Sequence, residues 1–242
     1  MSLKAVLLDL SGVIIKDKVV HLNLIDKILL EENLQPQKRN ERESSLGISN
    51  RIYLQELLKN RGRVVTEEYL LELLKRKAQG YVKELETLEK LPLYSGIKDL
   101  IFYARSQELK LGIVSDAISP EIETVLKKSQ LNSYFHVIVS GDEIKTSKPQ
   151  PEGYLLAVDK LNQVYPELDI KSQECLAIED TPDGIQAAKR AQMQVLGVAN
   201  TYPFHMLQRQ ANWTVDYLTE LELERVQEVF SQKDETVAVT EC

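Results

Sequence analysis

Short apolar runs punctuate the chain at Ala5-Val6-Leu7-Leu8, Leu111-Gly112-Ile113-Val114, Val137-Ile138-Val139, Leu176-Ala177-Ile178, Val195-Leu196-Gly197-Val198 and Trp213-Thr214-Val215. Runs this short, rich in Val, Ile and Leu without polar alternation, predict strands buried on both faces, as in a parallel sheet covered by helices. From Pro120 onward the spacers between runs have the length and periodicity of crossover helices, so the pattern predicts an α/β fold.

One gap breaks that rhythm. No strand-like run occurs between Ile15 and Leu91. Three helical patterns fill the gap, carried by Leu22, Ile25, Ile28 and Leu29, then by Leu54, Leu57 and Leu58, then by Tyr69, Leu70, Leu73, Leu74, Tyr81 and Val82. Thr66 is placed to cap the third helix. The polar stretch Gln35 to Ser45 is expected to be a loop. A helical module is therefore expected as an insert directly after the first strand. The end, Ser231 to Cys242, shows no periodic face and is expected to be loose.

The bulk numbers narrow the function without identifying it. A chain of 242 residues with 43% hydrophobic and 28% charged residues is ordinary for a soluble globular protein. The formal charge of −7 argues against a nucleic-acid partner, whose phosphates demand Lys and Arg, while a local positive cluster still permits a small anionic substrate. No apolar run approaches the roughly 18 residues of a membrane span, and Asp9 interrupts the first run too early for a signal peptide. Cys175 and Cys242 suggest neither a disulfide framework nor a metal cluster. The expectation is a reduced, cytoplasmic protein.

Candidate chemistry stands at the ends of the apolar runs, where ligands bind in open parallel sheets. The first run ends in Asp9, the second in Ser115 and the fourth in Glu179-Asp180, while Lys148 precedes Pro149 in "KTSKPQP". Singly, each has an ordinary explanation as a turn, cap or helix-start residue. As an ordered set they suit a hard divalent cation and a phosphoryl group, with carboxylates for the metal, lysine for the phosphate charge and a hydroxyl as hydrogen-bond donor.

The stretches "LLDLSGVI", "IVSDA", "SKPQPEGY" and "AIEDTPDGIQAAKRAQM" resemble, in order and separation, the four motifs of the haloacid dehalogenase-like hydrolase superfamily. The resemblance spans nearly the whole chain. An insert between the first two motifs, and "YSGIKDLI" where the chain re-enters the core, are similar to the subgroup that includes β-phosphoglucomutase and phosphoglycolate phosphatase-like enzymes. This resemblance implies a Rossmann-like core at 1–15 and 90–242 with a small helical cap at 16–89. It implies Asp9 as a nucleophile that forms an aspartyl-phosphate. Ser115 and Lys148 would hold the phosphoryl oxygens. Mg²⁺ would be held by Asp9, the backbone carbonyl of Ser11, Glu179 and Asp180.

Ser11 departs from the family pattern, which usually places a second aspartate there as general acid and base. A hydroxyl is too weak an acid for that role, and such catalysis is worth roughly 10²–10⁴-fold. Four readings follow: a phosphatase using water or a substrate group for proton transfer, an enzyme for acyl or aryl phosphates, a dehalogenase acting on carbon, or a non-catalytic binder of phosphorylated ligands. The first is preferred, because every other motif residue is retained and a metal-free dehalogenase would leave Glu179-Asp180 idle. β-Phosphoglucomutase-like transfer is the alternative. For it, "LKRKAQGYVKEL" resembles the mutase's cap segment, placing Lys77 as a substrate contact and His21 as an aid to the nucleophile's partners. Against it, Asn50 stands where the mutase has an arginine for the distal phosphate, with Arg51 next door. Lys77 has a solvated helix face as its competing explanation, and His21 a partly buried cap position. His136 and His205 are read as structural. The expected partner is a small phosphorylated metabolite, and the expected state a monomer or weak dimer.

Overall fold

The computed structural model describes residues 2–45 and 47–238. All six apolar runs are strands: β1 (Ala5–Leu8), β2 (Lys110–Val114), β3 (Val137–Val139), β4 (Cys175–Glu179), β5 (Gln194–Val198) and β6 (Trp213–Val215). They form one sheet in the order β3-β2-β1-β4-β5-β6, and every pairing is parallel. Strand order reverses between β1 and β4, so the crevice of the fold opens beyond the carboxyl ends of these two strands.

Alternation along the strands explains why they read as continuous apolar runs. Val6, Leu8, Leu111, Ile113, Leu176 and Ile178 belong to one buried cluster. Ala5, Leu7, Val114, Cys175 and Ala177 belong to another. Helices cover both faces, so no strand residue in the centre of the sheet needs to be polar. Ten α-helices are present among the described residues: α1 (Lys18–Glu31), α2 (Arg39–Ser44), α3 (Asn50–Asn60), α4 (Glu67–Thr87), α5 (Ile97–Ser106), α6 (Ser119–Ser129), α7 (Glu152–Val164), α8 (Pro182–Arg190), α9 (Phe204–Leu207) and α10 (Leu223–Ala238). Helices α5, α6 and α10 pack on the first face, and α7, α8 and α9 on the second.

The insert forms its own cluster from α1, α3 and α4, with Ile25, Leu29, Leu54, Leu58, Leu70 and Leu73 buried together. Thr66 caps α4, its hydroxyl accepting from the Tyr69 amide at 3.3 Å. Helix α4 then runs on into the core, where Tyr81 and Leu85 join the cluster on the first sheet face. Helix α1 does the same through Leu24, so two helices, α1 and α4, join the insert to the sheet.

One expectation is corrected. Gln35 to Ser45 is not wholly loop, because α2 occupies Arg39–Ser44. That helix buries no residue, so it has no apolar periodicity to read. Polar contacts hold it instead: the Glu41 carboxylate accepts from the Lys38 amide at 2.7 Å, Arg61 pairs with Glu41 at 2.9 Å, and Arg42 pairs with Asp26. At the other end, α10 is anchored to the core by Val226 and Phe230 and is assigned as far as Ala238. Residues 239–242, including Cys242, lie outside the described residues.

Candidate active site

Asp9 follows β1, Ser115 follows β2, and Glu179 and Asp180 close β4, so adjacent parallel strands deliver all four to one crevice. A cavity of about 300 Å³ opens there between sheet and insert. Asp9, Ser11, His21, Asn50, Ser115, Lys148 and Asp180 line it. Glu179 sits one layer behind, fully buried.

Lys148 Nζ lies 2.8 Å from Asp9 Oδ1 and 2.6 Å from Glu179 Oε1, and donates to the Val114 carbonyl at 3.0 Å. Burial opposes its charge, but Asp9 and Glu179 outweigh that and hold its pKa well above the ordinary lysine value. The lysine therefore remains a fixed cation. Tyr154 OH donates to Glu179 Oε1 at 2.5 Å, which orients the second carboxylate. Ser115 Oγ accepts from the Ala117 amide at 3.1 Å and stays on the cavity wall.

One oxygen from each of Asp9, Glu179 and Asp180 lies within 4.8 Å of the others. Glu179 Oε2 and both Asp180 oxygens are buried without a full hydrogen bond, the nearby Thr201 hydroxyl only partly favouring the charged form of Asp180. Burial lifts the Glu179 pKa to about 7, with Lys148 opposing and Asp9 adding to the rise. Asp180 is raised well above the usual carboxylate range, again by burial first and then by Asp9. Buried carboxylate oxygens that lack donors and repel one another fit a small hard cation with oxygen ligands, such as Mg²⁺. Two glycines allow this crowding. A Cβ on Gly12, whose φ is +89°, would stand 1.8 Å from Asp180 Oδ2, and one on Gly184 would stand 2.0 Å from Glu179 Oε2.

Ser11 does not stand alone. Its hydroxyl donates to Asp17 Oδ2 at 3.1 Å, and the same oxygen lies 3.1 Å from His21 Nε2 and accepts from Tyr81 OH at 2.5 Å. A carboxylate only accepts, so Nε2 carries the proton it points at Asp17. His21 stacks on Tyr81 with ring centroids 4.7 Å apart. Burial works against ionising Asp17, but the charge of His21 and hydrogen bonds from His21, Tyr81 and Ser11 hold its pKa below the usual carboxylate value.

Asp17 and Asp116 are the site groups that sequence reasoning missed. Asp17 stands at the entry of α1 and looks like a helix cap, yet makes no cap bond. The readable signal was its spacing of four from His21, which puts both on one helix face. Asp116 follows Ser115 on the cavity wall, and burial raises its pKa to about 6, with Lys148 opposing and Asp9 adding.

Two residues of the insert turn away from the cavity. Lys77 is not on a solvated face: its side chain is 2% exposed, and Nζ pairs with Glu121 Oε1 on α6 at 2.8 Å. Nor is it among the cavity-lining residues. Arg51 pairs with Glu67 and also leaves the cavity wall to Asn50. His136 is structural, accepting from the Leu111 amide at 2.8 Å. No helix among the described residues is long and apolar enough to cross a membrane.

Comparison with known proteins agrees with this geometry. The haloacid dehalogenase-like hydrolase family matches residues 6–198. A β-phosphoglucomutase of Bacillus subtilis (strain 168) is 31% identical over 232 residues, covering 95% of this chain and 96% of the relative. A phosphorylated carbohydrates phosphatase of Thermotoga maritima is 26% identical over 202 residues, covering 82% and 87%. The crystal structure of β-phosphoglucomutase from Clostridium difficile superposes with a TM-score of 0.80 at 27% identity, covering 96% of this chain and 98% of that one. The chain is therefore an enzyme that belongs to the haloacid dehalogenase-like hydrolase family.

Proposed function

We propose that this hydrolase is a Mg²⁺-dependent phosphatase of a small phosphorylated metabolite, with Asp9 as the nucleophile. The observation that carries the reading is the buried cluster of Asp9, Glu179 and Asp180, with donorless oxygens, beside the fixed cation Lys148. Asp9, the Ser11 carbonyl, Glu179 and Asp180 would hold the metal. Bound there, Mg²⁺ supplies Lewis-acid polarisation of the phosphoryl group.

The protein's own residues do the rest. An Asp9 oxygen forms a bond to phosphorus as the bond to the leaving oxygen breaks, giving an aspartyl-phosphate. Lys148 and Ser115 bind the phosphoryl oxygens and stabilise their negative charge. Solvent water protonates the departing oxygen; a second water then attacks phosphorus, the bond from phosphorus to the Asp9 oxygen breaks to restore the carboxylate, and the water's proton leaves with phosphate or solvent. The Ser11 hydroxyl donates a hydrogen bond to Asp17 and keeps its proton, so its lone pairs are left to accept a hydrogen bond from that water or from a substrate hydroxyl. His21 and Tyr81 hold Asp17 in place for this, and Asn50 faces the substrate from the cap wall. The missing acid is why hydrolysis is preferred over transfer to a sugar hydroxyl, the reaction that the mutase relatives' name describes. A cytoplasmic setting accords with the free, buried thiol of Cys175.

Hydrolysis of p-nitrophenyl phosphate and acetyl phosphate, with Mg²⁺ or with EDTA, tests the reading beside Asp9→Asn. Turnover that needs the metal and vanishes in the variant is expected. Undiminished turnover by Asp9→Asn, or by wild type in EDTA, would refute it.

A further inference from the structure

Lys16 and Lys18 flank Asp17 in the segment that leads from β1 into α1. All three line the cavity, but the Asp17 carboxylate is fully buried, whereas Lys16 and Lys18 are exposed. Neither lysine has a carboxylate within ion-pair distance among the described residues, unlike Lys148, whose charge Asp9 and Glu179 take up. Lys16 is held to the wall by Tyr94, with Nζ 4.8 Å from the ring centroid, and Tyr94 lines the same cavity. Lys18 lies partly desolvated within the field of Asp180. Ser49, Asn50 and Tyr53, which the insert also contributes to the lining, bring no charge. The cavity thus has a phosphoryl end whose lysine is already engaged and, on the wall where sheet and insert join, two uncommitted cations.

We propose that Lys16 and Lys18 form a second anion subsite, which takes a carboxylate or second phosphate carried by the substrate beside the phosphoryl group being hydrolysed. This rests on the phosphoryl site proposed above and narrows its substrate class to phosphomonoesters with a further acidic group. Both lysines are exposed enough for salt to screen them, so the preference weakens as ionic strength rises.

Titration calorimetry with non-hydrolysable probes separates the two readings. With Mg²⁺ present, wild type is expected to bind phosphonoacetate or 3-phosphonopropionate about tenfold more tightly than methylphosphonate. Lys16→Ala/Lys18→Ala should erase that preference while leaving methylphosphonate affinity within about twofold, and Lys16→Arg/Lys18→Arg should keep most of it. An unchanged preference in the alanine variant, or an equal loss for all three probes, overturns the subsite and spares the phosphoryl site. Failure of wild type to bind any phosphonate removes both.

Discussion

Replacing Ser11 by aspartate restores the family's usual pattern, but here it would set the new carboxylate against Asp17. The Ser11 hydroxyl is 3.1 Å from Asp17 Oδ2, and the Asp17 side chain is 0% exposed. Two unit charges about 4 Å apart at an effective dielectric constant near 20 repel by about 4 kcal/mol. Ser11 is only half-buried, so solvent screening reduces this to about 2–3 kcal/mol. His21 and Tyr81 keep Asp17 ionised, so the introduced group bears the strain and its pKa rises. An acid whose folded pKa lies above its unfolded value loses stability as pH rises through that interval. Ser11→Asp should therefore show only about half of its deficit near pH 5, lose the rest as the pH rises, and melt about 4–12 °C lower than wild type at pH 8, by the usual conversion for a chain of this size. Adding Asp17→Asn removes the like charge and should recover most of the loss. The double variant is also the proper host for a proton shuttle, and its hydrolysis of an alkyl phosphate should exceed that of Ser11→Asp at pH 8. Differential scanning calorimetry of wild type, Ser11→Asp, Asp17→Asn and the double variant at both pH values forms the cycle. Equal melting of Ser11→Asp and wild type at pH 8 would refute the placement of Asp17 beside residue 11.

Three further outcomes follow from the same geometry. Burial raises the pKa of Glu179 to about 7 and of Asp116 to about 6, so protein in EDTA should lose stability between pH 5 and 7.5. Mg²⁺ should then raise the melting temperature more at pH 7.5 than at pH 5, and a flat or opposite trend would contradict the acid cluster. Gly184→Ala should weaken Mg²⁺-dependent stabilisation at least tenfold in metal concentration, because the new methyl would displace Glu179 Oε2 from 2.0 Å away. Retained metal response would show that Glu179 has room to move. Lys77→Met strands Glu121 as a buried charge and should cost about 3–5 kcal/mol in urea denaturation, with Lys77→Met/Glu121→Gln recovering part of it. No loss in the single variant would mean that the pair is solvated.

The sequence alone determined the α/β class, the six strands and the insert, because strands buried on both faces and amphipathic helices leave periodic apolar signatures. It also determined which strand ends carry Asp9, Ser115, Glu179 and Asp180, since motif residues stand directly after those runs. Helix α2 escaped notice because it buries nothing and is held by polar contacts with Asp26 and Arg61, distant in sequence. Only the tertiary structure decided the surroundings of Ser11. Asp17 looks like a helix-entry residue until Tyr81, 64 positions away, donates to it. Lys77 looks like one of many surface lysines until α6 brings Glu121 against it across 44 positions. A side chain's neighbours depend on which elements pack together, and local periodicity holds no record of that.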